Sequence, residues 1–175
     1  MALLPFRPDW RMATVLDLSP EWLAAQGLAG LLLDLDGTLK CYGQPEVAGE
    51  LRAWLSSTQA AGIKLCLLSN GMPARIGPMG SALGVAALGG ACKPLPYACR
   101  RAVAQLGLKR EQVALVGDQV FTDVLAGRWA GIRTILVEPL SRVEPWYIRV
   151  KRPLERVVLW PMPRPTASVR ETPSR

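Results

Sequence analysis

The stretch Gly30-Leu31-Leu32-Leu33-Asp34-Leu35-Asp36-Gly37-Thr38-Leu39 decides how this chain is read. Three leucines in unbroken succession behind Gly30 describe a strand covered on both faces, as parallel sheets require. Two aspartates then follow at its carboxyl end. Alternation along extended backbone puts Asp34 and Asp36 on one side, with Leu35 turned away, so two carboxylates converge on one point. An ionised carboxylate beside so many leucines costs free energy unless it is paired, hydrogen-bonded or bound to metal. Gly37 lets the backbone turn tightly and expose amide donors to an anion.

On the amino-terminal side, Ser19-Pro20-Glu21 predicts an N-cap, a proline at the first helical position and an acidic first turn, opening a short helix that stops near Gly27. On the carboxyl side, short apolar runs alternate with helical ones. A helix is expected over 45–61 and a strand over 63–68, ending at Ser69-Asn70-Gly71. A segment broken by Gly and Pro over 72–90, a helix over 96–106 and a strand over 113–116 follow. That strand leads into Gly117-Asp118-Gln119-Val120-Phe121-Thr122-Asp123. A helix from about Thr122, with Thr122 as its cap, and a strand over 134–137 complete the series. The pattern predicts an α/β fold, a Rossmann-like three-layer parallel sheet, with its polar residues just past the carboxyl ends of the strands, where such sheets bind ligands. The divisions expected are an extension over 1–18, the α/β body over 19–140, a basic aromatic segment over 141–160 and a polar, proline-rich disordered tail over 161–175.

Composition removes several chemistries. The chain has 175 residues and no histidine, which excludes triads with a histidine base and histidine-ligated metals. Cys41, Cys66, Cys92 and Cys99 form no CxxC pair, so reduced thiols are expected rather than a zinc site or disulfide framework. No run approaches the roughly 20 apolar residues of a membrane span, and no secretory signal is visible, so the expected location is the cytoplasm. The formal charge of +7 is uneven: Arg142 to Arg175 holds eight basic and three acidic residues. No nucleic-acid reading motif accompanies them.

Four of the six aspartates form two spaced pairs, Asp34 with Asp36 and Asp118 with Asp123. Carboxylates in that number suit a hard cation such as Mg2+, which takes oxygen ligands and completes its shell with water and substrate phosphate. Ser69 can donate to a phosphoryl oxygen, and Lys93 can neutralise phosphate and carboxylate charge. Asn70 either shapes a turn or touches substrate. A calcium loop does not fit, because its sixth position would be Leu39 instead of glycine, and no P-loop is present.

Taken together, Asp34–Leu39, Leu67–Gly71, Lys93-Pro94 and Gly117–Asp123 resemble the haloacid dehalogenase superfamily. The resemblance implies Asp34 as a nucleophile that becomes an aspartyl phosphate, with Asp36 protonating the leaving group and then activating water. It makes Ser69, Asn70 and Lys93 substrate contacts. Asp34, Asp36 through its backbone carbonyl, Asp118 and Asp123 become the Mg2+ site. A narrower resemblance, carried also by the KPLPYACRRA, TILVEPL and KRPLER segments, is to YqeG-type subclass IIIA phosphatases, a branch that includes phosphatidylglycerophosphate phosphatases. Only 32 residues separate Asp36 from Ser69 and 23 separate Ser69 from Lys93, which leaves no room for a lid domain. The expected protein is a capless phosphomonoesterase acting on phosphatidylglycerophosphate at a membrane surface. A phosphatase for a soluble sugar or nucleotide phosphate and a non-catalytic membrane-associated binding protein are the alternatives. For 141–160 the alternatives are a helix packed on the body with a basic outer face and a peripheral contact with anionic membrane. Oligomeric state is left open.

Overall fold

The leucine run at the head of this reading lies at the centre of the sheet. In the computed structural model, which describes residues 4–141 and 143–163, the strands are β1 (Trp10–Met12), β2 (Gly30–Leu33), β3 (Lys64–Leu68), β4 (Ala86–Leu88), β5 (Val113–Gly117) and β6 (Arg133–Val137). They pair in the order β1-β6-β5-β2-β3-β4, every pairing parallel. β2 is buried throughout, between β3 and β5.

Strand alternation sorts the core onto two faces. Leu31, Leu33, Leu65, Leu67, Ala114 and Val116 join one apolar cluster with residues of α1 (Pro20–Ala25), α2 (Gly49–Ala60) and α3 (Pro73–Leu83). Leu32, Cys66, Leu68, Val113 and Leu115 join the other, against α4 (Tyr97–Leu106) and α5 (Leu125–Ala130). α1 opens as its sequence predicts, with Ser19 Oγ accepting from the Trp22 amide at 3.1 Å and Pro20 inside the first turn. α6 (Trp146–Arg149) and α7 (Arg152–Leu159) close the described chain.

Four expectations need correction. The segment over 72–90 is not merely broken: it forms α3 and the edge strand β4, with Pro73 at the helix start and Pro78 inside. Burial of Ile76 in the core outweighs the cost of the interior proline. The extension over 1–18 supplies β1, held by Asp9, whose carboxylate accepts from the Thr134 amide at 2.8 Å and hydroxyl at 3.0 Å. Thr122 does not cap a helix. It lies inside a wide turn over Val120–Val124, and its buried hydroxyl has no hydrogen-bond partner. The C-terminal segment packs on the body, but its outer face is apolar as well as basic: Trp146, Val150, Leu154, Val157 and Trp160 are exposed beside Arg149 and Arg156. Of the tail expected to be disordered, only residues 161–163 are described, and the remainder lies outside the described residues.

Candidate active site

The site forms where β2 and β5 end side by side. The Asp34 amide donates to the Val116 carbonyl at 2.9 Å, extending the pairing one residue beyond β2, so Asp34 emerges beside the loop that carries Asp118. Lys93 arrives from the loop after β4 and donates to Asp34 Oδ1 and Asp123 Oδ1, each at 2.6 Å. Asp34, Asp118, Asp123 and Lys93 are all buried, at 7%, 2%, 2% and 6% exposure. Thr38 bridges the cluster, its hydroxyl 3.5 Å from Asp34 Oδ2 and 3.4 Å from Asp118 Oδ1.

Two glycines allow this crowding. Gly37 turns at φ +96°, and a Cβ there would stand 2.8 Å from Asp118 Oδ2. A Cβ on Gly117 would meet Asp123 Cγ at 2.3 Å. With these positions clear, one carboxylate oxygen from each of Asp34, Asp118 and Asp123 lies within 4.8 Å of the others.

Electrostatics shows what the cluster lacks. Burial pushes the Asp34 carboxyl up to about 6, although Lys93 opposes the rise. Burial, then the charges of Asp123 and Asp34, pushes Asp118 up to about 8. Lys93 stays protonated because Asp123 and Asp34 outweigh its own desolvation. Three buried carboxylates thus share one buried ammonium and part of one guanidinium, so negative charge is in excess. A hard divalent cation fits this all-oxygen donor set and that deficit.

Asp36 stands apart. It pairs with Lys40 at 2.7 Å and with Arg75, and those hydrogen bonds hold its carboxyl below the ordinary range despite partial burial. Ser69 is buried at the end of β3, its Oγ accepting from the Gly71 amide at 3.1 Å. Asn70 is used on the backbone: Oδ1 accepts from the Lys93 amide at 2.7 Å and Nδ2 donates to the Lys93 carbonyl at 3.1 Å. It braces the loop that delivers the Lys93 ammonium.

Residues 7–131 match the family model of haloacid dehalogenase-like hydrolases. The chain belongs to that family. This haloacid dehalogenase-like hydrolase is 34% identical over 154 residues to the probable phosphatase YqeG of Bacillus subtilis strain 168, covering 88% of this chain and 90% of that one. It is 27% identical over 149 residues to phosphatidylglycerophosphate phosphatase 1 of Arabidopsis thaliana, covering 79% of this chain and 43% of the plant protein. The hydrolase therefore spans less than half of that relative. It shares its fold with the cobalt-bound deoxy-D-mannose-octulosonate 8-phosphate phosphatase YrbI of Haemophilus influenzae, at a TM-score of 0.51 and 20% identity over 77% of this chain and 89% of that one.

Sequence reasoning missed the role of Arg152 in this hydrolase. From the start of α7 its Nη1 donates to the Asp118 backbone carbonyl at 2.6 Å and to Glu155 at 2.9 Å, its Nε lies 3.1 Å from Glu144, and its Nη2 pairs with the Asp118 carboxylate. Glu155, buried, also accepts from the Val120 amide at 2.8 Å, directly after Asp118-Gln119. The sequence signals for this inward face were helical spacing, Ile148, Arg152, Glu155 and Leu159, and the KRPLER segment of the family resemblance, inside a stretch whose charges read as solvated.

Proposed function

We propose that this hydrolase is a Mg2+-dependent phosphatase of the subclass IIIA type whose substrate is phosphatidylglycerophosphate. The observation that carries the phosphatase reading is the convergence of Asp34, Asp118 and Asp123 with Lys93 at the carboxyl edge of the sheet. Bound Mg2+, held by the three aspartates, would supply positive charge to the phosphoryl oxygens.

The chain's own residues do the rest. The Asp34 carboxylate attacks phosphorus, an Asp34 oxygen–phosphorus bond forms, and the ester oxygen departs with a proton from Asp36. Water then attacks the aspartyl phosphate and gives a proton to Asp36, releasing inorganic phosphate and restoring Asp34. Lys93 orients Asp34 through their 2.6 Å bond and offsets charge as phosphate arrives. Asp36 is held as a carboxylate by Lys40 and Arg75, which suits its role as base. Its role as acid requires Arg75, whose side chain is 45% exposed, to move aside when substrate binds.

Three observations support the lipid substrate: the similarity to a plant phosphatidylglycerophosphate phosphatase, the absence of a lid among the described residues, and an open cleft beside the site. The cleft, about 1140 Å³, has Asp118, Glu138, Glu144 and Glu155 in its wall with four arginines, of which Arg11 and Arg152 are paired with those carboxylates, while Arg149 and Arg156 are the cations left for an anionic head group. The test is phosphate release from phosphatidylglycerophosphate in mixed micelles, beside soluble sugar and nucleotide phosphates, with Mg2+ or chelator. Mg2+-dependent release favouring the lipid is the expected result. Release from soluble esters alone would remove the lipid and keep the mechanism.

A further inference from the structure

We propose that the outer face of α6 and α7 is a docking surface for an anionic lipid bilayer. The proposal accompanies the reading of a lipid substrate but rests on the exposed apolar face of these helices, apart from the aspartate cluster.

The two helices are fixed from inside. Ile148 and Glu155 are buried, Val158 and Leu159 pack against Val120, Val124 and Leu136, and Arg152 is tied to Glu144, Glu155 and Asp118. The inner face is thus held to the body at these points and otherwise borders the cleft beside Asp118. On the outside, Trp146 of α6, Val150 between the helices, Leu154 and Val157 of α7 and Trp160 just past it follow one another at intervals of three and four. Their exposures run from 61% for Leu154 to 88% for Trp160, and Tyr147 adds a further exposed ring at 53%. A helix on a water-facing surface normally turns polar residues outward, so a continuous apolar stripe marks a face that meets something else.

Charge selects the occupant. Among residues 143–163 the acidic groups are Glu144 and Glu155, both turned inward onto Arg152. Arg149 and Arg156 are exposed beside the stripe, and Lys151 is half-buried. The water-facing charge of this surface is therefore positive, while its apolar stripe carries aromatic rings at both ends. Basic residues attract anionic headgroups, and tryptophan sits well at the headgroup level, so the two features together match an anionic bilayer better than a protein groove. The helix that carries the stripe also holds Asp118 from its other side. Docking would bring the site to within about one helix diameter, roughly 10–12 Å, of the bilayer.

The experiment is co-sedimentation of the purified full chain with vesicles of phosphatidylglycerol and phosphatidylcholine, and with phosphatidylcholine alone. Neither lipid carries a phosphomonoester, so binding is read apart from turnover. Binding to the anionic vesicles, weakened by high salt and at least 10-fold weaker for the variant Val150→Ser/Leu154→Ser/Val157→Ser, is expected. Hydrolysis of a soluble phosphomonoester by that variant should be unchanged, which also reports that it is folded. Failure of the natural chain to sediment with anionic vesicles overturns the proposal whatever the variant does. A dimer in light scattering that the variant abolishes, without vesicle binding, overturns it in favour of a second copy of the chain. Hydrolysis of the lipid in micelles without vesicle binding defeats the docking surface alone; vesicle binding without lipid hydrolysis defeats the substrate alone.

Discussion

Replacing Arg152 with alanine removes the one cation that faces Asp118, Glu144 and Glu155 together. The arginine side chain is 16% exposed, and those of its three partners 0%, 5% and 4%, so the lost charge strands carboxylates that are almost wholly buried. Deleting one partner of a buried ion pair costs about 3–5 kcal/mol, because the remaining charge is stranded. In a domain of this size each kcal/mol lowers Tm by about 2–4 °C, so Arg152→Ala should melt roughly 6–20 °C below the natural protein in calorimetry with chelator present. Arg152→Lys keeps a charge but not the planar fork that spans three acceptors, and should fall between. A merely structural arginine would stop there. If Arg152 also positions Asp118, the lysine variant will bind Mg2+ more weakly in titration calorimetry under conditions where it is fully folded. A loss under 1 kcal/mol for Arg152→Ala, together with unchanged Mg2+ affinity for Arg152→Lys, would refute the reasoning.

Further outcomes follow from the same geometry. Asp34→Asn should lower phosphate release by about 10⁴-fold or more while leaving the fold intact by circular dichroism, since it removes the nucleophile and relieves repulsion in the cluster. Gly117→Ala forces a Cβ into the space of Asp123 and should cost about 1–3 kcal/mol in urea unfolding, with weaker metal binding. The pH dependence has a defined sign. Burial holds the folded carboxyls of Asp34 and Asp118 above the ordinary 3.8, pushed up to about 6 and about 8, so the metal-free fold loses stability as pH rises from about 4 toward those values. With no histidine in the chain to titrate in this range, the fall between about pH 5.5 and 8 should come chiefly from Asp118. Mg2+ should restore it, and a chelated Tm that rises across this window would contradict the assignment.

The sequence showed most clearly those features that depend on local pattern. Leu31–Leu33, Leu65–Leu68 and Val113–Val116 are buried strands because continuous apolar runs have no other stable place, and Asp34 and Asp118 follow directly from where those runs end. What stayed hidden depends on distant partners. Pro78 reads as a helix breaker, yet α3 persists because Ile76 is buried against the sheet. Trp10–Met12 is three residues with a charge in the middle, and only pairing with β6 makes it a strand. Arg152 looks like any other basic residue of the C-terminal segment until the fold brings Asp118 to it. Asn70 was weighed between turn and substrate, and the structure shows a third use for its amide, gripping the backbone of Lys93.

The order in which the chain is made gives the position of Arg152 a further meaning. Asp34, Asp118 and Asp123 leave the ribosome before it, and β1 must wait for a β6 partner 125 positions away, as between Asp9 and Thr134. Until α7 is synthesised, the nascent sheet holds its like-charged carboxylates without one of their counter-charges. A product that terminated before Arg152 could assemble the central strands and still fail to settle its acidic centre. Loss of α7 would therefore be felt at the acidic centre, as lower stability there even with every strand of the sheet in place.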